Sequence, residues 1–298
     1  MAIIIFLLFQ QCNDAPDFSK NNTTDSVKNI LDTALCQLNE VQSAYSSCLI
    51  DLSSSTLDVV TWNLERFPNN GYVTLGLLED IIPNMNADII AVQEITSITD
   101  FNLLVDNLNG WEGEVTNISG SLDMGYLYKT CEIIVLEPPS IALLDEVEPR
   151  PAIQIKIKHK ETDLEVTFFN IHLKCCGVAG SIEAKRRESA SIALQNNINN
   201  NLPDENVIIL GDWNDDIHDG PFDNFINDPN FTFTDEEIGD GNSSNWSYPS
   251  WPSHLDHILI TNELFNRFTE VKTIKLENCI NNVEYNISDH RAVLARFQ

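Results

Sequence analysis

Six short stretches of this chain end or open an apolar run on side chains that carry oxygen or a ring nitrogen. "VVTWNLE" ends on Asn63 and Glu65, "IIAVQE" on Glu94, and "VIILGDWN" on Asp212 and Asn214; "FFNIHL" carries Asn170 and His172, "HLDHILI" opens with Asp256, and "ISDHRAV" holds Asp289 and His290. Carboxylates and carboxamides converging at strand ends make a hard, oxygen-lined site, which favours Mg²⁺ or Mn²⁺ over zinc and also admits Ca²⁺. An Asp beside a His fixes the imidazole tautomer and raises its basicity, worth roughly 10²–10⁴-fold in rate to a reaction that moves a proton. Hydrolysis of an anionic phosphodiester needs these parts: charge neutralisation, an oriented water, and stabilisation of a pentacoordinate transition state.

Taken singly, each residue is a weak signal. A strand-terminal Asp or Asn is more often a turn former, and a lone His is more often a hydrogen-bonded structural residue. The ordered set carries the weight. In a strand, residues two apart share a face, so Asp212 and Asn214 point together if the extended run continues past Gly211.

The elements that must position these residues are short β-rich runs: "LDVVTWN", "ADIIAVQE", "GYLYKTCEIIVL", "AIQIKIKH", "LEVTFFNIHL", "NVIILGD", "LDHILIT" and "RAVLARF". Between them lie the helical patterns "GLLEDIIPNM", "ITDFNLLVDNL" and "EAKRRESASIALQNNINNNL". Strands mixed with helices and no repeating period indicate one layered α/β domain over residues 56–298. Upstream, residues 12–55 read as a polar tether followed by an amphipathic helix. In that helix Val27, Ile30, Leu31, Ala34, Leu38, Val41 and Tyr45 recur at helical spacing.

Residues 1–11 form an apolar, signal-like segment. The run Ala2 to Phe9 is too short to span a bilayer but suits the core of a secretory signal, and Cys12 follows at once. The arrangement resembles a bacterial lipoprotein signal, which implies a secreted or cell-envelope protein with a membrane tether through Cys12. Setting Cys12 aside leaves Cys36, Cys48, Cys131, Cys175, Cys176 and Cys279. That even set is compatible with disulfides in an oxidising compartment, and its spacing suggests no zinc site. The chain has 298 residues, 43% of them hydrophobic, enough for a full core. Its 45 acidic and 17 basic residues give a net charge of -28, a field that repels polyanions on average. Anionic substrates must therefore be drawn in locally, by metal or by clustered Arg and Lys.

In their order along the chain, "TWN", "QE", "NIHL", "GDWN", "LDHI" and "SDH" resemble the motifs of the endonuclease/exonuclease/phosphatase superfamily, deoxyribonuclease I among its members, from about Leu57 to Gln298. The resemblance implies an α/β (α+β) four-layer sandwich, two packed mixed β-sheets flanked by helices, with the site where strand ends meet. It implies that Asn63 and Glu94 hold the metal with Asp289 assisting, and that Asp212 and Asn214 position the attacking water and the phosphoryl oxygens. His290 is then the imidazole at the scissile phosphate, oriented by Asp256, and His172 a second imidazole, with Asp123 the nearest candidate for its acidic partner. Arg150, Asn170, Trp246 and Trp251 are expected on the substrate side. Lys174, Lys185, Arg186 and Arg187 concentrate charge after His172, where they could track a phosphate backbone or simply form a solvated helix face.

The leading expectation is a metal-dependent phosphodiesterase of nuclease type acting on nucleic acid or another phosphodiester. The alternatives are a phospholipid or small phosphate-ester hydrolase on the same site and a catalytically silent surface binding protein. No protein partner is evident.

Overall fold

Strand β1 (Leu57–Phe67) is buried along its first eight residues, and its two faces have different neighbours. Leu57 and Val59 pack with Ile155, Phe168, Ile208 and Ile258, whereas Val60 and Trp62 pack with Leu78, Ile81 and Phe101 from helices. A strand apolar on both faces must be covered on both sides, and this is what builds four layers. The computed structural model describes residues 45, 47–49, 55–118, 122–144, 147 and 150–298. The remaining strands are β2 (Ile89–Ile95), β3 (Trp111–Val115), β4 (Asp123–Lys129), β5 (Ile133–Ala142), β6 (Ala152–His159), β7 (Glu165–His172), β8 (Val207–Asp212), β9 (Phe231–Phe233), β10 (Asp256–Thr261), β11 (Phe268–Thr273) and β12 (Val293–Phe297). The three long helices are α1 (Tyr72–Met85), α2 (Ile98–Asn107) and α3 (Ile182–Asn201).

One six-stranded sheet runs β11-β12-β1-β2-β4-β3 and the other β5-β6-β7-β8-β10-β9. Each is mixed, with one parallel pair at its centre, β1 with β2 and β7 with β8. Helices α1 and α2 cover the first sheet. Helix α3 covers the second, where Ala190, Leu194 and Ile198 meet Val207, Ile209 and Trp213. At about 1.5–3 kcal/mol per large apolar side chain removed from water, the core between the sheets is the main cohesive element.

The segment "GYLYKTCEIIVL" divides into two strands rather than forming one. Residues 130–132 turn the chain, so that β4 lies in the first sheet and β5 on the edge of the second. Pro138 and Pro139 fit that edge, where a missing N–H costs no ladder bond. Strands β3 and β11 lack a continuous apolar run because one face of each is open to water. The signal-like segment and most of the amphipathic helix expected over residues 27–50 lie outside the described residues. Cys48 is joined to Cys279 by a disulfide, and Cys131 is also disulfide-bonded.

Polar residues fix the depth and register of the sandwich below its polar end. Asn170, fully buried, donates to Val92 O (3.1 Å) and Gly125 O (2.9 Å) of the opposite sheet and accepts from Gln93 Nε2 (2.8 Å). Gly211, at φ +150, lets β7 come close, since a Cβ there would stand 2.0 Å from Ile171 O. Behind β10, Asp235 Oδ2 meets His257 Nδ1 at 2.6 Å and His254 Nε2 at 3.0 Å, while Asp235 Oδ1 accepts from Ile258 N at 2.9 Å. His257 Nε2 faces Asp215 O at 3.0 Å, so both ring nitrogens are committed to acceptors, as in an imidazolium.

Two outcomes test these pins. Asn170→Leu removes the amide that donates to Val92 O and Gly125 O and takes one of three acceptors from Gln93 Nε2, and should cost about 2–4 kcal/mol in urea unfolding. Burial alone would raise the Asp235 carboxyl, but His257 and His254 pull it well below the ordinary value; the same contact, working against burial, raises His257. Asp235's contribution is complete above about pH 3.9 and fades as pH falls through its depressed value, and that of His257 is complete below about 6.5 and fades as pH rises through its raised one. Asp235→Asn should therefore cost about 3–5 kcal/mol. Unfolding measured across pH should show the gap to wild type widest between about pH 4 and 6.5.

Candidate active site

The inter-sheet face that is apolar along most of each central strand turns polar at one end. On β8 the face that carries Ile208 and Leu210 continues to Asp212, on β1 the face of Leu57 and Val59 continues to Asn63, and on β7 the face of Phe168 continues through Asn170 to His172. Register then aligns three of these residues across the second sheet: His172 pairs with Asp212, and Asp212 with Asp256. The first sheet supplies Asn63 and Glu94, and the turn before β12 supplies Asp289 and His290.

Backbone irregularities aim the side chains that alternation would turn away. The β1–β2 pairing shifts between Asn63 and Phe67 and the β2–β4 pairing between Val92 and Ile95, and Glu94 sits there at φ +62. Such bulges re-aim a residue at a strand end. Asn214 also adopts a left-handed backbone, φ +57, because β8 ends at Asp212. The expectation that an extended run carries Asp212 and Asn214 to one face is thus replaced by a turn, in which Asn214 N donates to Asp212 Oδ1 at 2.9 Å. Asn214 Nδ2 reaches Leu173 O at 3.2 Å.

Asn63 Nδ2 joins the two sheets' carboxylates, donating to Asp212 Oδ2 at 2.9 Å and to Glu94 Oε1 at 3.3 Å, while its oxygen accepts from Glu65 N at 2.9 Å. His172 Nε2 stands 3.4 Å from Asp212 Oδ2 and 3.6 Å from Glu94 Oε1. His290 Nδ1 faces Asp256 Oδ2 at 2.7 Å, and its Nε2 stands 3.9 Å from Asp289 Oδ1. Ser288 locks this turn to β1, donating to Asn63 O at 2.7 Å and accepting from His290 N at 3.0 Å. Tyr248 lies over His290 with ring centres 4.8 Å apart. A cavity of ≈ 400 Å³ with an apolar floor of Ile274, Leu276 and Val283 opens beside Asp289 and His290.

The electrostatics divide the two imidazoles. Burial alone would lower His290, but Asp256 in contact with it, with Asp212 and Asp289 behind, raises it to about 10, so it is an imidazolium at neutral pH. Burial, helped by Arg150 and the His290 charge, pushes His172 well below its ordinary value, so it is neutral. Burial, with Asp256 and Glu94 adding to it, lifts Asp212 to about 7 against the pull of His290 and Asn63.

Glu65 and Asp289 are each raised by burial and by neighbouring carboxylates, Glu94 among them in both cases, and Asp289 N donates to Glu65 Oε2 at 3.0 Å. Two carboxylates raised in part by the charge of a third fit a divalent cation, whose charge would relieve the repulsion. Asp212, Asp256 and His290 also bring one donor atom each within 4.8 Å of one another, but the short Asp256–His290 contact commits that imidazole nitrogen.

Most of the expected site residues therefore converge. Asn170 does not, because it lies one inter-sheet layer below His172 with its amide spent across the sandwich. Asp123 is not the partner of His172: its Oδ1 accepts from Ile118 N at 2.7 Å, and among the described residues His172 Nδ1 has no hydrogen-bond partner. Arg150 donates from Nε to His172 O (2.9 Å) and from Nη2 to Leu173 O (2.8 Å), which makes it a brace for the loop.

Trp246 is half-buried, its indole N–H shared between Ile238 O and Gly239 O, whereas Trp251 is 77% exposed. Of the basic group after His172, Lys185 and Arg186 are exposed and Lys174 half-buried, but Arg187 is buried and bonded to Asp215 Oδ2 at 2.8 Å. Glu65, which the sequence marks only as a strand-end carboxylate beside Asn63, and Tyr248 both border the site. Strand alternation does not place Glu65, because its backbone is left-handed at φ +39 where the β1 register shifts.

The family model described as Endonuclease/Exonuclease/phosphatase family matches residues 60–290. Comparison with curated proteins by sequence found no match. Among solved structures, TDP2 of D. rerio complexed with single strand DNA product is similar at 14% identity, covering 82% of this chain and 99% of that one with a TM-score of 0.67. An endonuclease/exonuclease/phosphatase from Bacteroides vulgatus gives 15% identity, 82% and 98% coverage and a TM-score of 0.64. A mannosyl-6-phosphatase from Bacteroides thetaiotaomicron gives 17%, 81% and 99%, and 0.63. The two mixed sheets flanked by helices are the fold of these proteins, and the chain belongs to the endonuclease/exonuclease/phosphatase family, whose members are phosphoric ester hydrolases that use divalent metals.

Proposed function

We propose that the protein is a divalent-metal-dependent phosphodiesterase of nuclease type. The observation that carries this reading is a charged imidazole, His290, held by Asp256 beside a carboxylate of raised proton affinity, Asp212, with the Glu65, Glu94 and Asp289 cluster adjacent. A divalent ion held by Glu94 and Asp289, with Glu65 beside them, would neutralise phosphoryl oxygens and the charge that develops on them. Asp212 accepts the proton of the attacking water, a task suited to a carboxylate that titrates near neutrality. His290 donates from Nε2 to a non-bridging oxygen, and Asp256 keeps it charged and oriented. Asn63 spaces Asp212 and Glu94 with one amide group. The exposed Trp251 offers a face on which a base can stack, and the TDP2 structure with single strand DNA product supports an open-strand substrate.

A second reading, a small phosphate-ester hydrolase, gains from two observations. Arg187 is withdrawn into the structure, which shortens any basic track for a phosphate backbone, and a mannosyl-6-phosphatase shares the fold. The lipid reading has less support, since Trp251 stands between Ser250 and Pro252 without neighbouring aliphatic residues. We further infer export to an oxidising compartment, supported by the Cys48–Cys279 disulfide and the apolar segment before Cys12. The deciding assay offers single-stranded DNA, plasmid, RNA, sphingomyelin and sugar phosphates in parallel with Mg²⁺, Mn²⁺ or Ca²⁺ and with chelator. Cleavage of oligonucleotides is the expected result; turnover confined to phosphomonoesters would overturn the nuclease reading.

Two variants probe the chemistry. Glu94→Gln should fold normally, bind Mn²⁺ more weakly by calorimetry and lose turnover by roughly 10²-fold or more. Asp256→Asn removes the acceptor that raises His290, so in an NMR titration the His290 signal should move from far above 6.5 back toward that value. The alkaline limb of the rate profile should move down with it; an unshifted His290 titration would show that Asp256 does not hold its charge.

A further inference from the structure

The loop that follows β7 carries two adjacent thiols that the hydrolytic chemistry does not use. Among the described residues Cys48, Cys131 and Cys279 are disulfide-bonded, whereas Cys175 and Cys176 are free. Their Sγ atoms lie 2.9 Å apart, Cys176 being exposed and Cys175 half-buried. Cys176 and Gly177 both take left-handed backbone, φ +72 and +82, so the chain turns back at this pair and presents the Cys176 thiol to solvent.

The backbone on either side is held by a single buried side chain. Arg187 Nη1 donates to Lys174 O at 2.7 Å and to Cys176 O at 2.8 Å, while its Nε donates to Asp215. Asp215 directly follows Asn214, and Asn214 in turn is held by Leu173 O, on the same loop as the thiols. Two segments of the site, 172–176 and 212–215, therefore share one clamp.

We propose that Cys175 and Cys176 are a reversible oxidation site, at which a low-molecular-weight disulfide converts the dithiol to a vicinal disulfide and thereby loosens the loop that supports Asn214. The exposed Cys176 thiolate attacks one sulfur of the oxidant, forming a mixed disulfide and releasing one thiolate. The Cys175 thiolate then attacks the Cys176 sulfur, forming the Cys175–Cys176 bond and releasing the second thiolate. Two electrons pass from the pair to the oxidant, and the two thiol protons end on the two released thiols. Closing a ring across adjacent residues rotates the peptide between them and changes the backbone angles of both cysteines, which moves Lys174 O relative to Cys176 O and breaks one of their two bonds to Arg187 Nη1. The buried guanidinium then loses an acceptor, and the 173–176 and 213–215 segments lose their common anchor.

The thiol chemistry stands independently of the substrate, whereas the effect on turnover rests on the hydrolase reading above. The test equilibrates the full chain in glutathione buffers of graded ratio and reads three quantities. Peptide mass after unreduced digestion should show loss of two hydrogens within the peptide containing Cys175 and Cys176. Amide hydrogen exchange should quicken at 173–176 and 213–215, and turnover of a phosphoester should fall by about tenfold and recover when the ratio is reversed. The Cys175→Ser/Cys176→Ser double variant should keep reduced wild-type turnover and exchange at every ratio. Glutathione adducts without a ring, or a ring that forms while exchange stays the same, would overturn the proposal. So would equal inactivation of the double variant. If no phosphoester is turned over at all, mass and exchange still decide the thiol site, and the failure belongs to the functional reading alone.

Discussion

A buried carboxylate facing a buried imidazole, Asp256 and His290, is the interaction on which the arrangement of the site depends. Neither group would keep its charge alone in a dry environment, where an unpaired ion costs several kcal/mol. At 2.7 Å each stabilises the other, and the charge that survives is placed on His290 Nε2, facing Asp289 and the open side of the cleft. Everything around the pair follows from keeping it intact. Asp256 opens β10, and its N–H donates to Ser247 Oγ at 3.1 Å, while His290 sits in a turn locked to β1 by Ser288. The pair therefore joins the two sheets, and a shift of one sheet along the other would break it.

The two sheets meet that demand with the same local device. Trp62 precedes Asn63 within β1, just before its pairing with β2 shifts, and donates from its indole to His290 O at 3.1 Å; Trp213 precedes Asn214 after β8 and donates to His257 O at 3.1 Å. In both cases a large ring buried on the helix side fixes the backbone, and the following residue turns an amide toward the site. Asn214, in left-handed backbone, directly follows Trp213, and Glu94, also left-handed, lies two residues past Val92, the strand partner of Trp62. Local strain of about 1–3 kcal/mol per residue persists only where the surroundings over-determine it. Here the surroundings are two of the largest fully buried side chains in the chain.

How much of this was legible follows from which contacts are local. The central strands showed themselves because β1, β7, β8 and β10 are apolar on both faces, a pattern that no loop sustains. Their polar ends are visible in the sequence, and Asn63, His172 and Asp212 come together in the structure because the sheet face they occupy is continuous with the core. Alternation failed where the backbone leaves the extended region: Asn214 reaches the site through a turn and Glu94 through a bulge. It also gave no depth. Asn170 and His172 share a face two residues apart, yet the opposing Gln93, Val92 and Gly125 close over the first and leave the second at the cleft. Whether a basic residue is a surface charge or a clamp is equally non-local: Arg187 and Arg186 are neighbours in "AKRRES", and only the carbonyls of Lys174 and Cys176 and the carboxylate of Asp215 draw Arg187 inward.

The net charge of -28 looks at odds with an anionic substrate, and distance resolves the conflict. Charges farther than about 8 Å from a reacting phosphate are largely screened at physiological ionic strength, so the acidic surface mainly slows encounter and keeps the chain soluble. Inside the cleft the balance differs, because burial weakens screening. There His290 is positive, His172 is neutral, and the carboxylates of Glu65, Glu94 and Asp289 repel one another until a cation joins them. Without that cation the cleft would reject a phosphate by its own local field; with it, the same carboxylates become the reason a phosphate can approach. On the metal-dependent reading proposed above, the acidic site would make substrate binding conditional on metal, and selection for an anionic ester would be exercised within one screening length of His290, not by the surface as a whole.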